Sequence, residues 1–93
     1  MKTLELNGNE YPFAFTYKCF RTLAKKATEL DELDMGEDAW LLAINKGYER
    51  EGSKTRIKKE HLIQMIDDDP SAFKKLKAAL EEDMEQFTDG EGK

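Results

Sequence analysis

Residues 4–20, LELNGNEYPFAFTYKCF, decide the fold because the spacing of their apolar side chains changes once within the stretch. Up to Phe15, apolar and polar residues alternate on either side of Asn7-Gly8, and Asn-Gly is the strongest short signal for a two-residue hairpin turn. From Thr16 onward the apolar residues recur at the three- and four-residue intervals of a helix. The stretch therefore predicts a β-hairpin that leads directly into a helix.

The second predicted strand has an aromatic face. Tyr11, Phe13 and Phe15 point to one side, with Pro12 on the other. Since an isolated hairpin is marginal in water, we expect the aromatic face to pack on the helix that follows, predicted over 16–30. Because Pro12 has no N–H to donate, the strand is predicted to lie at a sheet edge that could accept a strand from another chain.

A second helix is predicted over residues 37–50, where Asp34 and Glu37 have the spacing of a capping box. It carries AWLLAI, six consecutive apolar residues over 39–44. Such a run exceeds the roughly 100° stripe that a surface helix can bury. The helix is therefore expected to be either central to the bundle or partly an interface with a second subunit or a client. The residues predicted to matter there are Trp40, Leu41, Leu42 and Ile44.

Two shorter amphipathic segments complete the predicted bundle. A third helix is expected to bury Leu62, Ile63 and Ile66, and Asp69-Pro70 then supplies the N-cap and first position of a fourth. The apolar stripe of the fourth helix is predicted to comprise Phe73, Leu76, Leu80, Met84 and Phe87. The predicted fold class is therefore α+β: an N-terminal β-hairpin packed on a small bundle of about four helices, mostly helical. One domain is expected over 1–87, with a flexible tail over 88–93.

The composition restricts the function classes. The 93 residues include 15 Lys and Arg against 20 Asp and Glu, a net charge of −5, whereas general nucleic-acid binding requires a basic excess. No apolar run approaches the roughly 20 residues of a membrane span, and the N-terminal stretch does not have the pattern of a signal peptide. We therefore expect a cytoplasmic protein that does not bind membranes.

The residue patterns do not indicate a catalytic or metal site. Cys19 and His61 are the only cysteine and histidine, too few for a zinc site within one chain. Cys19 borders the apolar stripe of the first helix, as a packed thiol does. The acidic run over 67–69 lacks the alternating ligands and central glycine of a calcium-binding loop. We therefore predict no catalytic activity, no cofactor and no bound metal.

The hairpin and the start of the first helix share a pattern with a known family. An Asn-Gly turn is followed by Phe-Thr-aromatic-Lys-x-x-Arg-x-Leu, and the positions are Asn7, Gly8, Phe15, Thr16, Tyr17, Lys18, Arg21 and Leu23. This pattern resembles the start of the tail assembly chaperones of long-tailed phages and prophages of Gram-positive bacteria, most closely over residues 3–30. Residues 57–83 agree with the family in style, with a short helix, an acid-Pro break and an amphipathic acidic helix.

The resemblance implies a non-enzymatic protein of the host bacterial cytoplasm that is absent from the finished virion. Its partners would be the tape measure protein, which it keeps soluble, and the tail tube protein, whose polymerisation it assists. Many members are also made in a longer form by a ribosomal frameshift, and Gly92-Lys93 could be encoded by a slippery run. Tyr11 and Phe13 join the residues of the second helix as candidate protein-binding positions, and self-association is left open.

Two other functions remain as alternatives. The first is a small adaptor or regulatory protein that binds one host or phage protein through its second helix. The other is a nucleic-acid-binding regulator that uses the basic residues between Arg50 and Lys59. Binding of single-stranded nucleic acid favours aromatic residues placed among the basic ones, and this segment has none.

Overall fold

The computed structural model describes residues 2–88, which form a two-stranded antiparallel hairpin followed by four helices. The predicted α+β class is thereby confirmed. Of the tail predicted over 88–93, Thr88 belongs to the last helix, and residues 89–93, which include the Gly92-Lys93 pair, lie outside the described residues. The elements are β1 (Lys2–Leu6), β2 (Asn9–Phe13), α1 (Tyr17–Lys26), α2 (Glu32–Arg50), α3 (Lys59–Asp68) and α4 (Ser71–Thr88).

The hairpin turns at Asn7-Gly8, as predicted. The φ angles are 51° at Asn7 and 80° at Gly8, and positive values at both positions are what a type I′ turn requires. The turn sets the register, in which Leu6 faces Asn9 across the strands. Leu6 and Phe13 are both completely buried, so this register turns one face of the hairpin into the core.

The hairpin rests mainly on α2 and α4, whereas α1 was the expected support. β2 approaches α2 so closely that a Cβ on Gly47 would lie 2.7 Å from Pro12 Cβ. β1 lies against α4. The prediction for α1 was wrong because this short helix buries only Cys19 and Leu23, whereas α2 offers a long apolar run. Ala27, the C-cap of α1, is exposed.

The boundary between α1 and α2 also differs from the prediction. Thr16 is the N-cap of α1, as expected, and its Oγ1 accepts from the Cys19 backbone N at 3.4 Å. Helix α2 was predicted to begin at residue 37 but begins at Glu32, and its N-cap is Asp31 and not Asp34. Asp31 Oδ1 accepts from the Asp34 backbone N at 2.8 Å. Acidic residues suit this position because the helix N-terminus carries partial positive charge.

Helix α2 is the centre of the molecule, since it contacts β2, α1, α3 and α4. The central position, one of the two expectations for its apolar run, is observed, and an interface with a second subunit or a client stays a prediction. The buried residues of this helix come from successive turns, and they are Ala39, Trp40, Ala43, Ile44 and Gly47.

The apolar stripes of α3 and α4 are rotated from their predicted positions. Phe73 was expected to be buried, yet 42% of it is exposed, and Ile63 is 45% exposed. Small side chains at Ala72 and Ala79 are buried instead, together with Leu76. Small residues allow α4 to approach its neighbours closely. The sequence-based prediction assigned the large apolar residues to the core and so missed this effect.

Candidate protein-binding groove

The structure buries most of the residues predicted from the sequence to bind a protein partner. A buried side chain cannot touch a partner unless the fold opens, so a docking surface has to be sought among exposed apolar residues. Tyr11, Phe13, Trp40 and Ile44 are at most 7% exposed, whereas Leu41 and Leu42 are half-buried.

The strand edges expected to accept a foreign strand are partly occupied within the chain. Beyond β2, the Ala14 backbone N donates to the Ala43 carbonyl of α2 at 3.0 Å. On β1, the Glu5 carbonyl accepts from Lys75 Nζ of α4 at 2.9 Å. Together with Pro12, which has no N–H, these contacts reduce the number of backbone groups that the hairpin offers for strand addition.

Three helices instead leave an apolar surface exposed around Trp40. Leu33 of α2 is 62% exposed, and Ile63 of α3 and Phe73 of α4 join it. They border two adjoining hollows of about 230 and 350 Å³, both of which are lined by Leu33, Trp40 and Phe73. We call this surface the Trp40 groove, and its apolar residues are Leu33, Trp40, Ile63, Ile66, Phe73 and Leu80.

Trp40 forms the floor of the groove. Its ring meets that of Phe73 edge to face, with centroids 5.4 Å apart and planes at 90°, which is a favourable aromatic geometry. Among the described residues, its Nε1–H is buried without a hydrogen-bond acceptor. An unpaired buried donor costs about 1–3 kcal/mol and is uncommon in a complete core.

The rim of the groove is acidic. Glu32, Glu81 and Lys77 border the larger hollow, and Glu37 and Asp67 border the smaller one. The lining residues therefore include four carboxylates and one lysine. All but Glu37 are exposed to solvent, so the groove combines an apolar floor with a negative border.

Lys59 lies at the start of α3 and pairs with the first turns of α2. Its Nζ lies 3.2 Å from Asp34, 3.3 Å from Asp38 and 3.8 Å from Glu37. Burial acts to lower the pKa of Lys59, but hydrogen bonds to Asp34 and Asp38 raise it above its ordinary value. At least this cation of the segment proposed to bind nucleic acid is therefore paired with carboxylates of its own chain.

A second exposed aromatic group lies near the far end of α4. Tyr17 is 60% exposed, and its ring centroid is 6.3 Å from that of Phe20 and 6.1 Å from that of Phe87. Phe20 and Phe87 are themselves 5.6 Å apart. Phe20 and Phe87 are half-buried, whereas Tyr17 is the exposed member of this group.

The residues considered for chemistry lie apart from the groove floor. Cys19 is 3% exposed, and its Sγ lies 3.7 Å from the carbonyl oxygens of Ala14 and of Leu42, which agrees with a packed thiol. His61 is exposed, with Nε2 3.4 Å from the Tyr11 hydroxyl. Within residues 2–88, no three His, Cys, Asp or Glu side chains are grouped as metal ligands, and no helix has the length and apolarity of a membrane span.

Sequence reasoning singled out Trp40 but missed its exposed neighbours. Leu33 and Trp40 are separated by two helical turns and so share a face of α2. That signal was lost because the helix was predicted to begin at Glu37. Ile63 and Phe73 were assigned to the core, and their exposure depends on how α3 and α4 are rotated.

Comparison of the chain with protein-family models, curated proteins and solved structures gave no match.

Proposed function

We propose that this protein is a non-enzymatic tail assembly chaperone of a long-tailed phage or prophage, and that the Trp40 groove is where it holds its client. The client is the tape measure protein, and the tail tube protein is a second partner. The chaperone acts in the host bacterial cytoplasm and is not part of the finished virion. The family assignment rests on the pattern from Asn7 to Leu23, and the groove is the observation that favours binding over catalysis.

The groove supports this proposal because a chaperone must expose apolar surface while remaining folded. Leu33, Ile63 and Phe73 are exposed on three different helices, which fix their relative positions. Contiguous apolar surface of this kind marks protein interaction sites. Its acidic border keeps the unoccupied protein from associating through the same surface, since like charges repel.

Co-expression tests the proposal directly. The tape measure protein of the same phage or prophage is produced with and without this chain, and its soluble fraction is measured. We expect the chain to raise that fraction several-fold and the double variant Leu33→Ser/Phe73→Ser to lose the effect. Tyr17→Ser, which alters the most exposed aromatic residue outside the groove, is the matched control. Equal solubility of the tape measure protein with and without the chain would contradict the proposal.

The adaptor function is a second candidate because the same groove suits a single regulatory partner. The two functions differ in the client that the groove recognises. If the groove variants leave tape measure solubility unchanged yet abolish capture of one defined host or phage protein, the adaptor function is favoured. If the parent chain keeps the tape measure protein soluble and the variants at Leu33 and Phe73 do not, the chaperone function is favoured.

A further inference from the structure

We infer that the Trp40 groove binds an amphipathic helix whose apolar stripe is flanked by Lys or Arg. The inference rests on the proposed function in that it names the chemistry of the client segment. It is drawn from the walls, the charge and the unfilled volume of the groove.

The walls of the groove favour a helical occupant. All the residues that line it lie inside α2, α3 or α4, whose backbone groups are mostly bonded within each helix. A strand lying there would leave its own N–H and C=O groups without partners, which is costly. A helix satisfies its backbone internally and presents apolar side chains at i, i+3, i+4 and i+7 to such a groove.

The groove offers two places for apolar side chains. Its two hollows adjoin at the Trp40–Phe73 pair, since both residues line both hollows. Successive side chains on one stripe of a helix are about 5–6 Å apart. Neighbouring apolar residues of the ligand can therefore enter the smaller and the larger hollow while the helix crosses Phe73.

The rim determines the charge of the ligand. Asp67 at the smaller hollow and Glu81 at the larger one are exposed and lie on different helices. Lys or Arg beside the apolar stripe would meet these carboxylates, and complementary rim charges increase association rates and exclude wrong partners. Lys77 is the one cation among the described residues that line the groove, and it does not reverse the sign of the border.

Two other occupants fit less well. A second copy of this chain would bring its own acidic rim against the first, which is unfavourable. Residues 89–93, DGEGK, contain no apolar side chain and so cannot fill the hollows. A separate basic and apolar segment is the occupant that the groove favours.

The experiment uses the chain's single tryptophan as the reporter. Trp40 is the only tryptophan and forms the floor of the groove, so its emission reports on occupancy. The probe is a synthetic peptide of about 18 residues, roughly 27 Å as a helix, made of Leu, Ala and Lys with Leu on one stripe. Its control replaces every Lys by Glu. Fluorescence anisotropy of the labelled peptide measures the same binding if the emission of Trp40 does not change.

We expect the Lys peptide to bind at least about tenfold more tightly than the Glu peptide at low salt, and the difference to shrink as salt screens the rim. The double variant Asp67→Lys/Glu81→Lys should reverse the preference. Asp67 is suitable for this change because it lies in the last turn of α3, where a cation is favoured. Leu33→Ser/Phe73→Ser should abolish binding, whereas Tyr17→Ser should leave it unchanged. Circular dichroism checks that each variant is folded.

Equal affinity for the two peptides, binding to neither, or loss of binding in Tyr17→Ser would overturn the inference. The outcomes are distinguishable from those of the co-expression test. A chain that keeps the tape measure protein soluble but ignores the Lys peptide retains the proposed function and loses this inference. A chain that binds the peptide through the groove but does not keep the tape measure protein soluble retains this inference and loses the proposed function.

Discussion

Asp83 is a buried carboxylate that joins the end of the hairpin to α4. It is 8% exposed, and its Oδ2 accepts from the Phe15 backbone N at 3.0 Å. Lys2 Nζ lies 3.0 Å from Oδ1 of the same residue and also bonds Glu82. Burial acts to lower the pKa of Lys2, but the hydrogen bonds to Glu82 and Asp83 raise it. Each of these polar groups at the junction therefore has a partner.

Asp83→Ala should lower the free energy of unfolding by about 1–3 kcal/mol, because the buried Phe15 N–H would lose its acceptor. Asp83→Asn keeps a side-chain oxygen and should lose less. Urea denaturation of both variants measures the difference. Equal losses would show that the charge opposite Lys2, and not the acceptor for Phe15, carries the stabilisation.

At the scale of elements, the contact between β2 and α2 depends on the absence of a side chain at Gly47. A Cβ there would lie 2.7 Å from Pro12 Cβ and 2.8 Å from the Pro12 carbonyl carbon. The second atom belongs to the backbone and cannot rotate away. Pro12 and Gly47 therefore allow strand and helix to pack in direct contact.

Gly47→Ala should destabilise the protein by about 1–3 kcal/mol through overpacking, although alanine is the better helix former. Gly36 also lies inside α2, but a Cβ added there would point into open space. Gly36→Ala should therefore stabilise the helix by up to about 1 kcal/mol. Thermal unfolding of the two variants would contradict this account if both shifted in the same direction.

Asp69 links the hairpin turn to the start of α4. Its carboxylate accepts from the Ser71 hydroxyl and backbone N and, at 3.0 Å, from the Asn7 backbone N. The hydrogen bond from the Ser71 side chain, followed by that from Asn7, holds the pKa of Asp69 below its ordinary value of 3.8. A carboxyl with a lowered pKa stabilises the fold above its unfolded value, and that contribution is lost as the pH falls through the folded value.

Asp69→Ala should therefore be less stable than the parent at pH 7, and the difference between them should shrink as the pH falls below 3.8. The thermal unfolding midpoints of the variant and the parent, compared from pH 7 to below pH 3.8, measure this difference. The matched control is Asp67→Ala, a neighbouring exposed acid outside this hydrogen-bond network. A stability difference for Asp69→Ala that does not change in acid would contradict the assigned role.

At the scale of the whole molecule, one core connects the hairpin to the helices. It includes Leu6 and Phe13 from the hairpin, Trp40 and Ile44 from α2, and Leu76 from α4. A core shared in this way favours all-or-none unfolding. No element has a separate apolar centre among the buried residues that the structure describes.

Trp40 fluorescence and the helical circular dichroism signal should therefore report the same unfolding transition. Leu76→Ala should lower the free energy of unfolding by about 2–5 kcal/mol in both measurements, because Leu76 is completely buried. Phe73→Ala should cost less, since 42% of that residue is already exposed. A fluorescence transition that separates from the dichroism transition in Leu76→Ala would show that α4 unfolds independently.

The local features of this protein could be predicted from its sequence. The Asn7-Gly8 turn and the Thr16 cap follow from interactions between residues close in the chain, and the spacing and length of the apolar runs indicated the α+β class and allowed the central position of α2. Backbone preferences at a turn and hydrogen bonds at a cap act over a few residues. Such features can therefore be predicted without knowledge of the fold.

Only the tertiary structure decided which apolar residues are buried and which form a surface. Phe73 and Ile63 have the side chains of core residues, yet they border the groove because other residues of the same helices face inward: Ala72, Leu76 and Ala79 on α4, and Leu62 and Met65 on α3. Burial depends on how closely whole helices approach one another, and that approach is settled by contacts between residues distant in sequence. For the same reason the hairpin packs on α2 and α4 and not on the helix beside it in the chain.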